Sequence, residues 1–339
     1  MSHQVTIKSS GHSFTVNDDE TVLAGALREG LIIAYSCRSG TCGTCKGKLL
    51  EGRIDYGTYQ EQAMTAAEKE AGMALFCQAK PHTDLLIECR EIGSAAKGIQ
   101  IKLLPARVVK MERLAPDVMR LELKLPASEK LPFLAGQYID LLLRNIPRRS
   151  FSMANAPHDD AVLQLHLRNY GGPFSRYVFD KLKEKDILRF EGPFGTFFLR
   201  EDSDKPVVLV ASGTGFAPIK AIVEHALHKG TKRPMTLYWG CRVRSDLYLH
   251  DLAEGWQREG KLRYVPVLSD APASDNWKGR TGFVHRAVME DFPDLSGHQV
   301  YACGAPVMVD AARRDFTSQR RLPEPEFFSD SFTPAAPAA

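Results

Sequence analysis

The sequence predicts a multidomain chain of α+β and α/β type: a small mixed module, then an antiparallel β-barrel, then a domain built on a parallel sheet. Three observations carry this expectation. Three cysteines crowd the loop "SCRSGTCGTCKGKL" near the N-terminus. Between residues 100 and 200 the text breaks into short strands with frequent turns, the spacing of a small antiparallel barrel. After "REDSDKP" strand-like and helix-like runs alternate, as in βα repeats over a parallel sheet.

A chain of 339 residues accommodates two or three domains. At 44% hydrophobic and 25% charged it has the composition of a globular protein, neither collagen-like nor disordered. A net charge of +3 makes no case for nucleic acid, but the charge is unevenly spread. Residues 1–96 hold nine Lys and Arg against twelve Asp and Glu, a net of −3, so the remainder carries +6. An acidic front module beside a basic remainder suits electrostatic docking, although solvated surface charge is the commoner reason for such a bias. The opening "MSHQVTIKSSGHSFTV" has no basic region followed by an apolar core, and no stretch is long and apolar enough to span a membrane. Seven cysteines without an export signal imply a reducing compartment, where clustered thiols serve metal or redox work, and the chain is expected to be cytoplasmic.

Taken in order, residues 3–16 alternate about an "SSGH" turn, a hairpin signal. "DDETVLAGALREG" reads as a short amphipathic helix closed by Gly30. A strand follows around Leu49 and Leu50, then helix-prone "YQEQAMTAAEKEAG", then "DLLIECREI" as a strand. "GSAAKG", residues 93–98, is a linker candidate. The barrel strands are "RVVKMERL", "VMRLELKL", "YIDLLL", "SFSMAN", "LQLHLR" and "ILRFEG". The parallel-sheet domain runs from "VVLVAS" and "APIKAIVEHALHKG" to "HQVYACG" and "APVMVDAARRDF", and the tail "TPAAPAA" is expected to be disordered. The expected boundaries are 1–95, 100–202 and 203–331, with 332–339 as the tail.

The spacing Cys37-x4-Cys42-x2-Cys45 is the plant-type iron–sulfur spacing, completed by a distant cysteine, for which Cys77 in "LFCQAK" is the candidate. Gly40 and Gly43 permit the positive φ angles that aim N–H groups at cluster sulfurs, and Arg38 adds positive potential. A four-thiolate zinc site and unrelated buried thiols are the competing readings. Structural zinc usually takes paired CxxC knuckles, and only Cys42 and Cys45 form one. Cys89 lies in a strand reading and suits a core position better than a ligand.

Residues 3–92 resemble a plant-type ferredoxin, a β-grasp fold. The chain to about residue 330 resembles the fused reductases in which such a ferredoxin precedes a ferredoxin–NADP reductase-like module. Reductase components of multicomponent oxygenases belong there, as do the CDP-6-deoxy-3,4-glucoseen reductases, matched in "LAGQYIDLLL", "SFSMANAPHD", "GPFGTFFLREDSDKP" and "ASGTGFAPIKAIVEHA". The resemblance implies a 2Fe-2S cluster, a flavin-binding antiparallel barrel that takes FAD, and a parallel-sheet nicotinamide-binding domain.

In "RRSFSMAN" the resemblance places flavin contacts on Arg149, Phe151 and Ser152: Arg pairs with phosphate, Ser caps it, and the aromatic lies against the ring. Phe151 departs from the family's Tyr, keeping ring stacking but losing a hydroxyl. On the residues alone, Arg148 and Arg149 read as a solvated basic edge. In "HLRNYGGPFSRYVF" a Ser175 at a helix start after bare Gly171 and Gly172 suits a phosphate, with an ordinary capped helix as the alternative. The resemblance puts the flavin pyrophosphate there. His166 and Arg168 share one face of the preceding strand and are placed to reach the flavin side chain.

"VVLVASGTGFAP" runs from a strand through a glycine turn into a helix, so Gly213, Thr214 and Gly215 can bring N–H groups to a pyrophosphate, with Pro218 in the first helical turn. It lacks the full GxGxxG pattern, but it matches the family's nicotinamide-binding GTGxAP. In "VYACGAP" the resemblance gives Cys303 and Gly304 the role of bracketing the nicotinamide against the flavin. Phe328 in "PEFFSDSF" is a candidate for the family's C-terminal aromatic near the flavin, with Phe327 or plain packing as alternatives. Asp246 stands beside Arg242 and Arg244: an acidic residue on the ribose favours NAD, whereas Arg can accept a 2′-phosphate. The wording favours NADH and leaves NADPH open.

The implied function is a reductase carrying electrons from NADH through FAD and a 2Fe-2S cluster to a partner protein. The expected acceptor is an iron-dependent oxygenase, with a CDP-sugar dehydrase as the alternative. A passive ferredoxin-like carrier with an idle flavin half is a third reading, opposed by the intact Arg149, Ser152, Ser175 and residues 213–218.

Overall fold

The computed structural model describes residues 2–92 and 98–332. Of the linker expected at 93–98, residues 93–97 lie outside the described residues, as do residues 333–339 of the expected tail. The chain divides into two compact units, Met1–Ile99 and Gln100–Ala339.

The first unit is a mixed five-stranded sheet with a helix on one side. Strands β1 (Ser2–Ile7) and β2 (Ser13–Asn17) form the expected hairpin. Helix α1 (Val22–Arg28) starts at Thr21, whose side chain accepts from the Ala24 N–H, and stops at Gly30, whose φ is 77°. Next come β3 (Lys46–Glu51), β4 (Ile54–Asp55), α2 (Ala66–Glu70), β5 (Met73–Leu75), β6 (Lys80–Pro81) and β7 (Leu85–Glu88). The sheet order is β2-β1-β7-β3-β5, with β1 and β7 parallel. Helix α2 is shorter than the expected run. Thr65 and Glu68 form a capping box that fixes its start, while the Gln60 N–H is held by the Gly40 carbonyl at 3.0 Å and Ala63 and Met64 are buried.

The second unit opens with the barrel: β8 (Lys102–Ala115), β9 (Val118–Lys124), β10 (Tyr138–Leu143), β11 (Ile146–Ser152), β12 (Leu163–Arg168), α3 (Pro173–Asp180) and β13 (Ile187–Phe194). Its sheet order is β11-β10-β13-β8-β9-β12, and a bridge between Met153 and Leu165 joins the two edges. Leu163, Leu165 and Leu167 of β12 face the barrel core, so Gln164, His166 and Arg168 point the other way.

A parallel six-stranded sheet follows, ordered β17-β16-β15-β14-β18-β19. Its elements are β14 (Val207–Ser212), α4 (Phe216–His228), β15 (Met235–Cys241), α5 (His250–Arg258), β16 (Arg263–Leu268), β17 (Arg280–Thr281), α6 (Val284–Asp291), β18 (Gln299–Gly304), α7 (Pro306–Gln319) and β19 (Phe327–Ser331). Strands covered on both faces read as unbroken apolar runs, as "VVLVA" does. The chain moves outward from β14 to β17 and then returns to lay β18 on its other side. The carboxyl ends of β14 and β18 therefore flank the point where strand order reverses, the crevice in which α/β sheets bind ligands.

Candidate functional site

The cysteine loop joins α1 to β3. Its backbone turns at Arg38, whose φ is 58°, and at Gly40, where a side chain would run into the Thr58 carbonyl. The four expected thiols stand as two pairs. Cys42 donates to Cys37, drawing the Cys37 pKa down to about 4, while the same contact and burial push Cys42 up. Cys45 donates to Cys77 in the same way, lowering Cys77 and raising Cys45. Among the described residues no three or more His, Cys, Asp or Glu side chains are grouped around a single ion position. Two thiol pairs side by side match a cluster of two irons, each needing two protein thiolates. N–H groups already point at the sulfurs: Ser39 donates to Cys37 Sγ at 3.4 Å and Cys37 to Cys42 Sγ at 3.5 Å. Cys89 stays apart, its thiol pushed up to about 12 by burial.

The barrel presents an anion-ready edge. Arg148 is used structurally, pairing with Glu191 at 2.9 Å and Asp140 at 3.7 Å. Arg149 instead donates to the Arg148 carbonyl and has no carboxylate partner among the described residues, which leaves its charge for an anion. Phe151 packs on Phe174 with ring centroids 5.3 Å apart, bringing the first turn of α3 beside β11. Gly172 caps α3 with no side-chain hydrogen bond and open space beside its Cα, so the first-turn N–H groups face outward. Ser175 lies in the first turn of α3, as expected of a helix start, and it is the capping alternative that the structure corrects. The helix begins at Pro173, because proline suits that position, so Ser175 is its third residue and donates back to the Gly172 carbonyl at 3.1 Å rather than capping it.

In the α/β domain a tight 3₁₀ turn, Gly213–Gly215, leads directly into α4, with Thr214 and Pro218 buried behind it. The second glycine segment interlocks with the first. A Cβ on Gly215 would strike the Cys303 carbonyl, and one on Gly304 would strike Ser212. Ser212 Oγ accepts from the Ala305 N–H at 2.9 Å. Cys303 is wholly buried, and burial together with Asp330 raises its pKa, so it is a neutral thiol.

His166 and Arg168 leave the barrel toward the α/β domain. His166 Nδ1 lies 3.1 Å from the Tyr248 hydroxyl, its Nε2 is buried without a partner, and burial draws its pKa down to about 3. Arg168 Nη2 donates to Asp246 at 2.9 Å, while its Nε lies 3.0 Å from Asp117 without hydrogen-bond alignment. Asp246 therefore pairs with a barrel residue, not with its neighbours Arg242 and Arg244. Phe328 fits the packing alternative: it stacks on Tyr301 at 4.6 Å inside the domain core. Phe332, expected in the tail, is tied by its N–H to the Gly304 carbonyl at 2.8 Å.

Four further residues escaped the sequence reading. Asp330 is buried and accepts from Ser152 Oγ at 3.3 Å. Tyr248 meets His166, and Lys220 donates to the Ala154 carbonyl at 3.0 Å, stitching α4 to the barrel. Phe332 is the fourth. Only the aromatics that bracket "FFSDSF" hinted at a structured end, and nothing local marks Asp330 as polar and buried.

Comparison with known proteins agrees with this geometry. The family described as the 2Fe-2S iron-sulfur cluster binding domain matches residues 5–82, the oxidoreductase FAD-binding domain 105–199, and the oxidoreductase NAD-binding domain 209–314. The chain is 41% identical to the CDP-6-deoxy-L-threo-D-glycero-4-hexulose-3-dehydrase reductase of Yersinia pestis, over 99% of this chain and 100% of that protein. It is 34% identical to the reductase component of phenol 2-monooxygenase from a Pseudomonas species, over 100% and 97% of the two chains. Among solved structures, the ferredoxin reductase in carbazole 1,9a-dioxygenase superposes with a TM-score of 0.71 at 26% identity, covering 98% of this chain and 99% of that one. The chain belongs to the family of reductases that join a 2Fe-2S domain, an FAD-binding domain and an NAD-binding domain in one polypeptide.

Proposed function

We propose that this reductase takes a hydride from NADH and delivers single electrons to a separate protein. The observation that carries the reading is the meeting of Ser152, Asp330 and Cys303, which joins the flavin-motif strand to the nicotinamide-motif strand. Bound, a flavin accepts two electrons and releases them singly, and a 2Fe-2S cluster carries one at a time.

The chain's own residues supply the holding and positioning. Cys37, Cys42, Cys45 and Cys77 provide the cluster thiolates. Arg149 and the uncapped N–H groups after Gly172 take the flavin pyrophosphate, Ser175 braces that turn, and Phe151 offers a ring face. Gly213, Thr214, Gly215 and Pro218 shape the turn that receives the nicotinamide nucleotide's pyrophosphate, with Cys303 and Gly304 at its reactive end. The Ser152–Asp330 bond fixes the hydroxyl beside the transfer site. Phe328 acts from behind, as packing. NADH is favoured over NADPH because the Asp246 carboxylate follows β15, the second strand of the βαβ unit, where it opposes a 2′-phosphate.

For the acceptor, the full-length relatives named as reductase components of a monooxygenase and a dioxygenase favour an iron-dependent oxygenase. A second reading, a CDP-sugar dehydrase, is favoured by the higher identity of 41% to its reductase. A reducing cytoplasmic setting suits seven free cysteines.

An anaerobic visible spectrum recorded during NADH titration tests the core reading. Flavin bands on a broad iron–sulfur envelope, both bleaching in proportion to added NADH, are expected. Bleaching of flavin alone in a protein with no iron would overturn the cluster assignment. Adding candidate oxygenase and dehydrase proteins to the reduced sample then identifies the acceptor by reoxidation.

A further inference from the structure

The glycine turn that opens α4 rests on an indole. Trp239, on β15 and wholly buried, donates from Nε1 to the Gly213 carbonyl at 3.0 Å. We propose that Trp239 is a positioning residue for the nicotinamide nucleotide: its N–H pins the Gly213–Thr214 peptide so that the Thr214 N–H is presented to the pyrophosphate. This rests on the reading of residues 213–215 as the pyrophosphate turn.

A trans peptide is planar, with its C=O and its N–H on opposite sides. Holding the Gly213 carbonyl against the indole therefore turns the Thr214 N–H away from it. Thr214 is the second residue of the 3₁₀ turn, so that N–H has no partner within the turn. Gly213 has a φ of 52°, and glycine has many conformations open to it, so the peptide takes a fixed direction only from what holds it. The same carbonyl accepts from the Phe216 N–H, which closes the turn on itself. The Trp239 bond is what ties the turn to the neighbouring strand.

The indole is itself held in place. It stacks on Phe216, with ring centroids 3.8 Å and planes 8° apart, and the Tyr248 ring meets it edge to face at 5.2 Å. Its N–H is a donor only, and a buried one needs an acceptor. The bond also links the two sides of the peptide. An N–H that donates to an anion makes its own carbonyl a stronger acceptor, so nucleotide binding tightens the Trp239 contact. Phenylalanine at this position keeps an aromatic stack and loses the bond. If the indole served only as packing, its loss would lower stability without singling out nucleotide affinity.

The test uses the full-length, oxidised protein loaded with FAD and cluster, titrated with NAD+ by calorimetry and followed by stopped-flow flavin reduction with NADH. Trp239→Phe is expected to raise the NAD+ dissociation constant and the half-saturating NADH concentration about tenfold, while the limiting rate of flavin reduction stays within about twofold. Trp256→Phe is the control for packing: it opens a gap in the same core, its ring centroid 6.1 Å from that of Phe216. It is expected to lower the melting temperature and leave NAD+ affinity unchanged. Equal NAD+ affinity in the two variants overturns the proposal. Should Trp239→Phe fail to fold, the indole N–H resonances of labelled tryptophan in the wild-type chain, which has three, give the answer. The Trp239 signal, assigned by elimination with Trp256→Phe and Trp277→Phe, is expected to move downfield as NAD+ saturates the protein, and a static signal overturns the proposal. Wild-type protein that binds no NAD+ overturns the reading of the turn instead.

Discussion

Ser152 donates to Asp330 across 178 residues of sequence, at 3.3 Å, and Asp330 sits in register beside Cys303. Three segments that are remote in the chain thus share one buried corner. Replacing Asp330 with Asn, or Ser152 with Ala, is expected to slow flavin reduction by NADH roughly tenfold to a hundredfold through misplacement of the reacting groups. FAD content should stay near one per chain. Stopped-flow absorbance beside a flavin assay separates the two effects, and equal loss of flavin and rate would show that the bond is merely structural.

The Arg168–Asp246 ion pair is mostly buried, each side chain about 15% exposed, whereas Asp117 on the other flank is 45% exposed. Breaking the buried contact should cost more. Asp246→Ala is expected to lower unfolding stability by about 1–3 kcal/mol, and Asp117→Ala by less than about 1 kcal/mol. Denaturant unfolding of both variants checks the order. Asp246→Asn should also narrow the preference for NADH over NADPH, read as the ratio of the two kcat/KM values.

Burial holds His166 neutral in the fold, with a pKa near 3 against the usual 6.5. Between those values the unfolded chain binds a proton that the native chain refuses, so stability falls as pH drops through 6.5 toward 3. At about 1.4 kcal/mol per pH unit, the step from pH 6.5 to 5 removes roughly 2 kcal/mol. Urea midpoints at several pH values should show this slope in the wild type and a flatter one in His166→Gln. Parallel slopes would mean that His166 titrates normally.

Two glycines of the candidate cofactor sites should respond differently to alanine. Gly172 has a φ of −75° and open space around it, so Gly172→Ala should fold normally and lose affinity for FAD only where the ligand approaches the backbone. Gly304 has a φ of 132° and Ser212 against it, so Gly304→Ala should destabilise the α/β domain by about 1–3 kcal/mol. Thermal unfolding with a flavin-binding titration distinguishes them.

What was legible in the sequence was local. The cysteine spacing, the glycine turn after an apolar strand and the alternation of barrel strands each lie within about a dozen residues, and each emerges in place. Pairings between distant segments were not legible. Arg168 reads as a flavin-facing cation because β12 alternates, but alternation fixes only the face, and that face is covered by Tyr248 and Asp246. Phe328 was ambiguous for a related reason: β19 is buried along its whole length, so no periodicity says which aromatic turns outward. For Ser175 the text left a capped helix open as the alternative, and Pro173 in the first helical position with Gly172 as its cap closes it.

The interlocking of the two glycine turns has a consequence for how this domain can change over generations. Gly215 is pressed on Cys303, and Gly304 on Ser212, so each turn is the wall of the other. A side chain admitted on one turn demands a retreat of the other, and the retreat would carry Cys303 with it. Neither segment can drift by single substitutions, and a variant that relaxes one must arrive together with a matching change in its counterpart. The two segments constrain each other as one unit, although Gly215 and Cys303 stand 88 positions apart in the sequence.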